Sequence, residues 1–227
     1  MTFPIHFRKS SMPPPLPFLR SLAVLVALAC TIPSVHSYQA GDWILRAGSI
    51  TIDPTSSFSS VADGAFELRA GSDTQLGLSV TYMAWDQLGI EVQAATPFTH
   101  AVNARGAGKV ASVKHLPPTL TANYYPLGGT GRSLQPFLGA GINHTIFWSE
   151  KLNDLGATAT GASRLDAGSS WGLAAHAGLD YRLNEQLGLG FSVYYIDIES
   201  RLKLDGNRIG KIKIDPWIYR LQLSYRF

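Results

Sequence analysis

One cysteine, Cys30, stands among 227 residues, so no internal disulfide can staple the fold. Charge is also scarce, at 15% of residues. The formal +3 comes from one end. Arg8, Lys9 and Arg20 are three of the 19 Lys and Arg, residues 1–37 hold no acid, and the remaining bases balance the 16 Asp and Glu. No basic surface for nucleic acid follows. Beyond residue 37 there is no run of about 18 apolar residues, which excludes a spanning helix. His100, His115, His144 and His176 are scattered without metal-ligand spacing, so no metal or cofactor is expected. GGTGRS (128–133) lacks the Gly-Lys-Ser/Thr of a phosphate loop and reads as a turn. GSSWG (168–172) has the Gly-x-Ser-x-Gly pattern around Ser170, but a loop precedes it and a strand follows, where a nucleophile elbow needs a strand and then a helix. Asn143-His144-Thr145 is a formal glycosylation sequon inside a strand. No catalytic residue is expected.

What is present begins with an address. Arg8, Lys9 and Arg20 precede the apolar run SLAVLVALAC (21–30), and TIPSVHS follows. A basic region, a short apolar region and small residues at Val35 and Ser37 make a secretory leader over residues 1–37, cut between Ser37 and Tyr38. Two alternatives stand beside it. One is an uncleaved anchor, for which the apolar run is short. The other is lipid acylation at Cys30, for which Ala27 stands where leucine is usual.

Residues 38–227 alternate with period two. TQLGLSVTYMAW (74–85), LGIEVQAA (88–95), SWGLAAHAGLDYR (170–182) and LGLGFSVYY (187–195) each put large apolar side chains on one face and Gly, Ser, Thr, Gln or His on the other. DWILRAGSI (42–50), LPPTLTANYY (116–125), SLQPFLGAGINHTIFW (133–148) and the final DPWIYRLQLSYRF (215–227) bring the strands to eight. Connections alternate in length. Short ones lie near 86–87, 126–132 and 184–186. Long ones, near 53–73, 96–112, 149–169 and 200–214, have the Ser, Gly, Thr, Asp and Asn of mobile loops.

A soluble barrel would turn Lys, Glu and Asp outward. Here the polar face is small and nearly uncharged, which suits a narrow interior, while the large apolar face suits lipid. Strands of about ten residues span a tilted bilayer crossing, and only a closed sheet satisfies its backbone there. The expected fold is all-β, an eight-stranded antiparallel transmembrane barrel over residues 38–227. Trp43, Trp85, Trp148, Trp171 and Trp217 fall at strand ends, where interfacial girdles belong. Arg46, Glu91, Asp180, Arg220 and Arg226 point inward, and Arg46 and Arg220, on neighbouring strands of a closed barrel, can share acidic partners. His176 is an inward, hydrogen-bonded histidine. The alternating tail with Tyr225 and Phe227 resembles the signal by which the outer-membrane assembly machinery takes up its clients.

WILRAGSITIDPT (43–55), TQLGLSVTYMAWDQLGIEVQAATPFTH (74–100), HLPPTLTANYYP (115–126), QPFLGAGINHT (135–145) and the closing strand together resemble the outer-membrane protein W family over the whole of residues 38–227. The resemblance implies an eight-stranded barrel in a Gram-negative outer membrane, with lipid and lipopolysaccharide around it. It implies a narrow channel for small hydrophobic solutes, released sideways into the bilayer. By the same resemblance Gln93 and Tyr194 fall where the family narrows its lumen. Gln93 is polar where a leucine-like residue is expected, and Tyr194 fits an aromatic constriction. Ile50, Ile52, Phe58 and Phe66 would form the apolar mouth between the long loops.

Three functions are compatible with these features. The first is a channel for small hydrophobic molecules. The second is a structural or receptor-type barrel whose lumen is plugged by side chains and whose loops do the work, since eight strands leave room for little else. The third, a lipid-modifying enzyme, lacks the His and Ser or carboxylate cluster it would need on the outer face.

Overall fold

The computed structural model describes residues 37–55 and 59–227. Labels run along the chain: β1 (Trp43–Pro54), β2 (Ser59–Val61), β3 (Phe66–Ala70), β4 (Asp73–Trp85), β5 (Leu88–Ala95), β6 (Phe98–Ala104), β7 (Gly108–Leu116) and β8 (Thr119–Tyr124). Then come β9 (Leu134–Leu152), α1 (Asp154–Thr160), β10 (Leu165–Ala167), β11 (Ser170–Arg182), β12 (Leu187–Ile196), β13 (Glu199–Leu204), β14 (Asn207–Lys213) and β15 (Pro216–Arg226).

Eight of these strands close a barrel in the order β1, β4, β5, β8, β9, β11, β12, β15, every pair antiparallel. The last strand returns to the first from Ile44↔Arg226 to Pro54↔Pro216. The period-two pattern sets which face is which. On β15, Trp217, Tyr219, Leu221 and Leu223 are exposed, while Ile218, Arg220, Gln222 and Ser224 are buried. A belt of exposed aromatics rings the short-turn end at Trp43, Tyr82, Trp85, Tyr124, Tyr181 and Tyr225, and Trp171, Tyr195, Trp217 and Tyr219 lie toward the other end. With Leu138, Leu173 and Leu221 exposed between them, the outside is a face for hydrocarbon. Backbone pairing that closes on itself lets it sit there.

Glycine on the inner face makes room for what fills the interior. A Cβ on Gly139 would lie 1.9 Å from His176 Nε2, and one on Gly178 would lie 2.2 Å from the Phe137 ring.

The long connections are folded, which corrects the expectation of mobile loops. β9 continues past residue 148 to Leu152, because β7 pairs with its upper half (Leu116↔Ile146, Ala111↔Leu152). β6 pairs with β7 and with β3, and β3 with β2. β10, β13 and β14 form a second small sheet. The β13–β14 turn, Asp205-Gly206, has φ of 46° and 84°, the two positive values of a tight type I′ hairpin. α1 starts at Asn153, whose side chain accepts from the Gly156 N–H at 2.8 Å, and ends on left-handed Gly161. Val61, Leu68, Val102, Val110, Ala111, Leu165, Leu202 and Ile212 are buried together in this extension, so a hydrophobic core of its own holds it. The expected leader, residues 1–37, lies outside the described residues except for Ser37, and so do residues 56–58.

Candidate functional site

The lumen is built in layers. Nearest the short turns is a polar floor. Arg46 of β1 donates to Asp180 Oδ2 of β11 at 2.7 Å, to Thr81 Oγ1 at 2.6 Å and to the Tyr125 hydroxyl at 3.1 Å, and stands 3.9 Å from Glu91 Oε2. Tyr38 donates to the same Asp180 oxygen at 2.8 Å. Arg220 of β15 donates to Glu91 Oε1 at 2.9 Å, Gln93 Oε1 at 2.5 Å, Ser79 Oγ at 2.9 Å and Gln222 Oε1 at 2.6 Å, and also to the Tyr194 hydroxyl. Glu91 thus sits between the two arginines and accepts from Asn123 Nδ2 at 2.7 Å. The Asn123 carbonyl accepts from His176 Nε2 at 2.7 Å, and the His176 ring stacks on Tyr194 with centroids 4.0 Å apart. Two cations and two carboxylates at about 1–2% exposure are tolerable because they pair and most of their other donors and acceptors are used, Arg46 Nε and Arg220 Nε being without a partner among the described residues.

Above the floor the interior turns apolar. Ile50, Ile52, Phe98, Ala174, Ile196, Ile198, Ile214 and Ile218 form one buried layer, with the Tyr194 ring as its boundary. Above that, in the extension, a cavity of about 40 Å³ is bounded by apolar side chains with His100, His115 and Ser200. Beyond it lies a cup of about 430 Å³ lined by Val61, Phe66, Leu68, Val102, Val110, Leu152 and Leu204 among others, with α1 contributing Gly156, Ala159 and Thr160. Leu68, Val102 and Leu165 line both cavities, so the apolar surface is continuous from cup to small cavity.

His100 and His115 meet at 3.2 Å between Nε2 atoms, their rings edge-to-face at 4.7 Å, with Phe98 and Phe147 against them. His100 Nδ1 contacts the Gly71 carbonyl. A carbonyl only accepts, so Nδ1 carries the proton and His100 Nε2 is the acceptor of the pair. His115 Nε2 is therefore the donor, and His115 Nδ1 is a bare acceptor. It is buried and has no partner among the described residues. Burial pushes the His115 imidazole down to about 3, reinforced by His100 and opposed by Asp73. Burial lowers His100 as well, against its bond to Gly71 and the charge of Asp73.

Among the described residues the wall is interrupted beside these layers. The β5–β8 ladder ends at Gln93↔Thr119, and the β6–β7 ladder begins at Phe98↔His115. Between them stand Pro97, Pro117 and Pro118, which have no N–H to donate.

Arg46, Glu91, Gln93, His176, Tyr194 and Arg220 all lie in the barrel interior, and all belong to the floor or its edge. Arg46 and Arg220 do share Glu91. Ile50 and Ile52 are fully buried in the apolar layer, Phe66 lines the cup, and Phe58 lies outside the described residues. Trp43, Trp85, Trp171 and Trp217 are exposed, while Trp148 is half-buried in the upper part of β9. Tyr225 and Phe227 face outward at the short-turn end, rings 4.8 Å apart. Asn123, Tyr38 and Tyr125 of the floor, the histidine pair and most of the cup were not singled out from sequence. Thr119, Thr121 and Asn123 alternate on β8, a signal that does point Asn123 inward.

Comparisons with known proteins agree with this architecture. The sequence model of the OmpW family matches residues 39–227. Outer membrane protein W of Escherichia coli K12 is 38% identical over 210 residues, covering 91% of this chain and 98% of its own. Outer membrane protein W of Vibrio cholerae is 39% identical over 214 residues, covering 91% and 97%. The crystal structure of the outer membrane protein OprG from Pseudomonas aeruginosa superposes with a TM-score of 0.77 at 41% identity, covering 85% of this chain and 99% of that one. A closed eight-stranded barrel with an apolar outside, matched along nearly its whole length by outer-membrane proteins, is an outer-membrane barrel, and the chain belongs to the OmpW family.

Proposed function

We propose that this barrel takes small apolar molecules from outside the cell into its cup and passes them sideways into the bilayer, not through the floor. The observation that carries the reading is the sequence of layers. A cup of about 430 Å³ leads by apolar side chains to a buried apolar layer, and that layer ends on a floor of paired charges. An alkane gains by leaving water for each apolar layer, at roughly 0.8 kcal/mol per buried CH₂, and gains nothing by entering the floor, whose charges are paired with one another. The proline-marked break in the ladder adjoins Phe98 of the apolar layer and offers an exit that breaks no cross-strand hydrogen bond.

The test is the rate at which n-octane enters the bilayer of lipid vesicles carrying the refolded protein. Uptake faster than into empty vesicles is expected. Pro97→Ala, Pro117→Ala and Pro118→Ala together restore three backbone donors and should slow it severalfold. Uptake no faster than into empty vesicles, with the barrel shown folded by heat-shifted gel mobility, would overturn the reading. That outcome would favour a barrel whose external extension acts by itself, a second reading supported by the same sealed floor. Gln93→Leu alters the floor, where Gln93 accepts from Arg220, and the proposed route leaves n-octane uptake insensitive to it.

A further inference from the structure

Mostly apolar side chains bound the route from cup to inner layer, and among the described residues that line it one buried polar side-chain atom lacks a partner. His115 lines the cavity of about 40 Å³ between the cup and the inner apolar layer, and its Nδ1 is buried with no partner among the described residues. The chain of protons that starts at the Gly71 carbonyl leaves that nitrogen unprotonated, so it accepts and cannot donate. A buried acceptor without a donor is costly, and any molecule supplying one N–H or O–H at that point removes the cost.

We infer that His115 Nδ1 is the recognition atom of a binding site for molecules with an apolar body and a single hydrogen-bond donor, primary alcohols being the simplest class. The inference rests on the reading of the cup as the receiving end of an apolar route, and it narrows the solute chemically. The cavity has room for a hydroxyl but not for a hydrated charged head, and no ionised side chain among the described residues lines it. The hydrocarbon tail extends into the cup, which shares Leu68, Val102 and Leu165 with the cavity. Alkanes of the same length fit the walls and leave the nitrogen bare. Carboxylates bring an acceptor and a charge against an acceptor and are refused. The His100 ring holds His115 in the accepting tautomer and is a positioning residue.

The site is tested by comparing 1-octanol with n-octane in the vesicle assay, each normalised to its own partition into the lipid, and by the ¹⁵N imidazole resonances of the refolded protein in micelles. One hydrogen bond at a site otherwise indifferent to polarity predicts an octanol preference of about fivefold. Octanol, and not octane, should move the His115 Nδ1 resonance toward a hydrogen-bonded position. In His115→Phe the octanol-to-octane ratio should fall toward one. His115→Phe strands His100 Nε2, so the paired variant His100→Phe with His115→Phe, which removes both partners, is measured beside it. Equal treatment of octanol and octane, or a preference that survives the paired variant in folded protein, would overturn the inference. Failure of both probes to outpace empty vesicles would instead overturn the uptake reading, and the resonance shift would still decide whether the nitrogen accepts from an alcohol.

Discussion

At the scale of single residues, Glu91 carries the greatest consequence. Among the described residues it is the only carboxylate that Arg220 contacts, at 2.9 Å, and it also holds Asn123. Glu91→Gln leaves Arg220 with neutral oxygen partners in a dry interior. Breaking one side of a buried ion pair destabilises by roughly 3–5 kcal/mol, and the lowered urea midpoint for loss of heat-shifted gel mobility measures it. The histidine pair makes a pH prediction. The unfolded chain binds protons on His100 and His115 near pH 6.5, whereas the folded pair holds them off, with His115 down near 3. More protons on the unfolded side mean that stability falls as pH drops below about 6.5. The protection factors of β6 and β7 amides, exchange rates divided out by the intrinsic rate at each pH, should fall over that window, and most of that fall should vanish in the paired phenylalanine variant. Residue by residue, the inward charges were legible because period two assigns a face to every strand residue. The pair was not, because 15 positions separate two histidines that meet only through the β6–β7 register, which sets Phe98 opposite His115 and His100 opposite Val113. Prolines at 97 and 117–118 with Gly106 between them mark that hairpin in the sequence.

At the scale of elements, the barrel strands were legible and the extension was not, for one physical reason. A lipid-facing strand must be apolar at every second position for about ten residues. A strand above the membrane has water on its outer face and needs only a few buried side chains. β7 even buries adjacent Val110 and Ala111, where a register shift in the β6–β7 pairing skips Val110 and breaks the alternation. The Asp205-Gly206 turn is the strongest hairpin signal in the long connections. Within the barrel, β9 depends on having no side chain at Gly139. In Gly139→Ala the new methyl group must displace His176 from Asn123, a bond of 2.7 Å. Overpacking of this kind costs about 1–3 kcal/mol, read as a lower urea midpoint, with the mutant His176 ring resonances displaced from their wild-type positions.

At the scale of the molecule, two solvents divide the surface. Leu221 is exposed at mid-strand on β15, between the Trp217 and Tyr225 levels. Leu221→Arg puts a charge in hydrocarbon and should destabilise the barrel by roughly 2–4 kcal/mol in vesicles. The same substitution at Ser149, exposed on β9 above the Trp171 level, should change stability far less. Refolding titrations of the two variants in one lipid compare them directly.

The floor draws its four charges from β1, β5, β11 and β15, the first and last strands among them. An incomplete sheet therefore holds unmatched arginines or carboxylates, and each is satisfied only when the two ends of the chain have met. The network acts as a seal on completion. Partly zipped barrels are penalised as a group, so opening the β1–β15 seam and losing the rest should coincide in a single cooperative transition. A lateral route that opens elsewhere in the wall leaves that lock untouched.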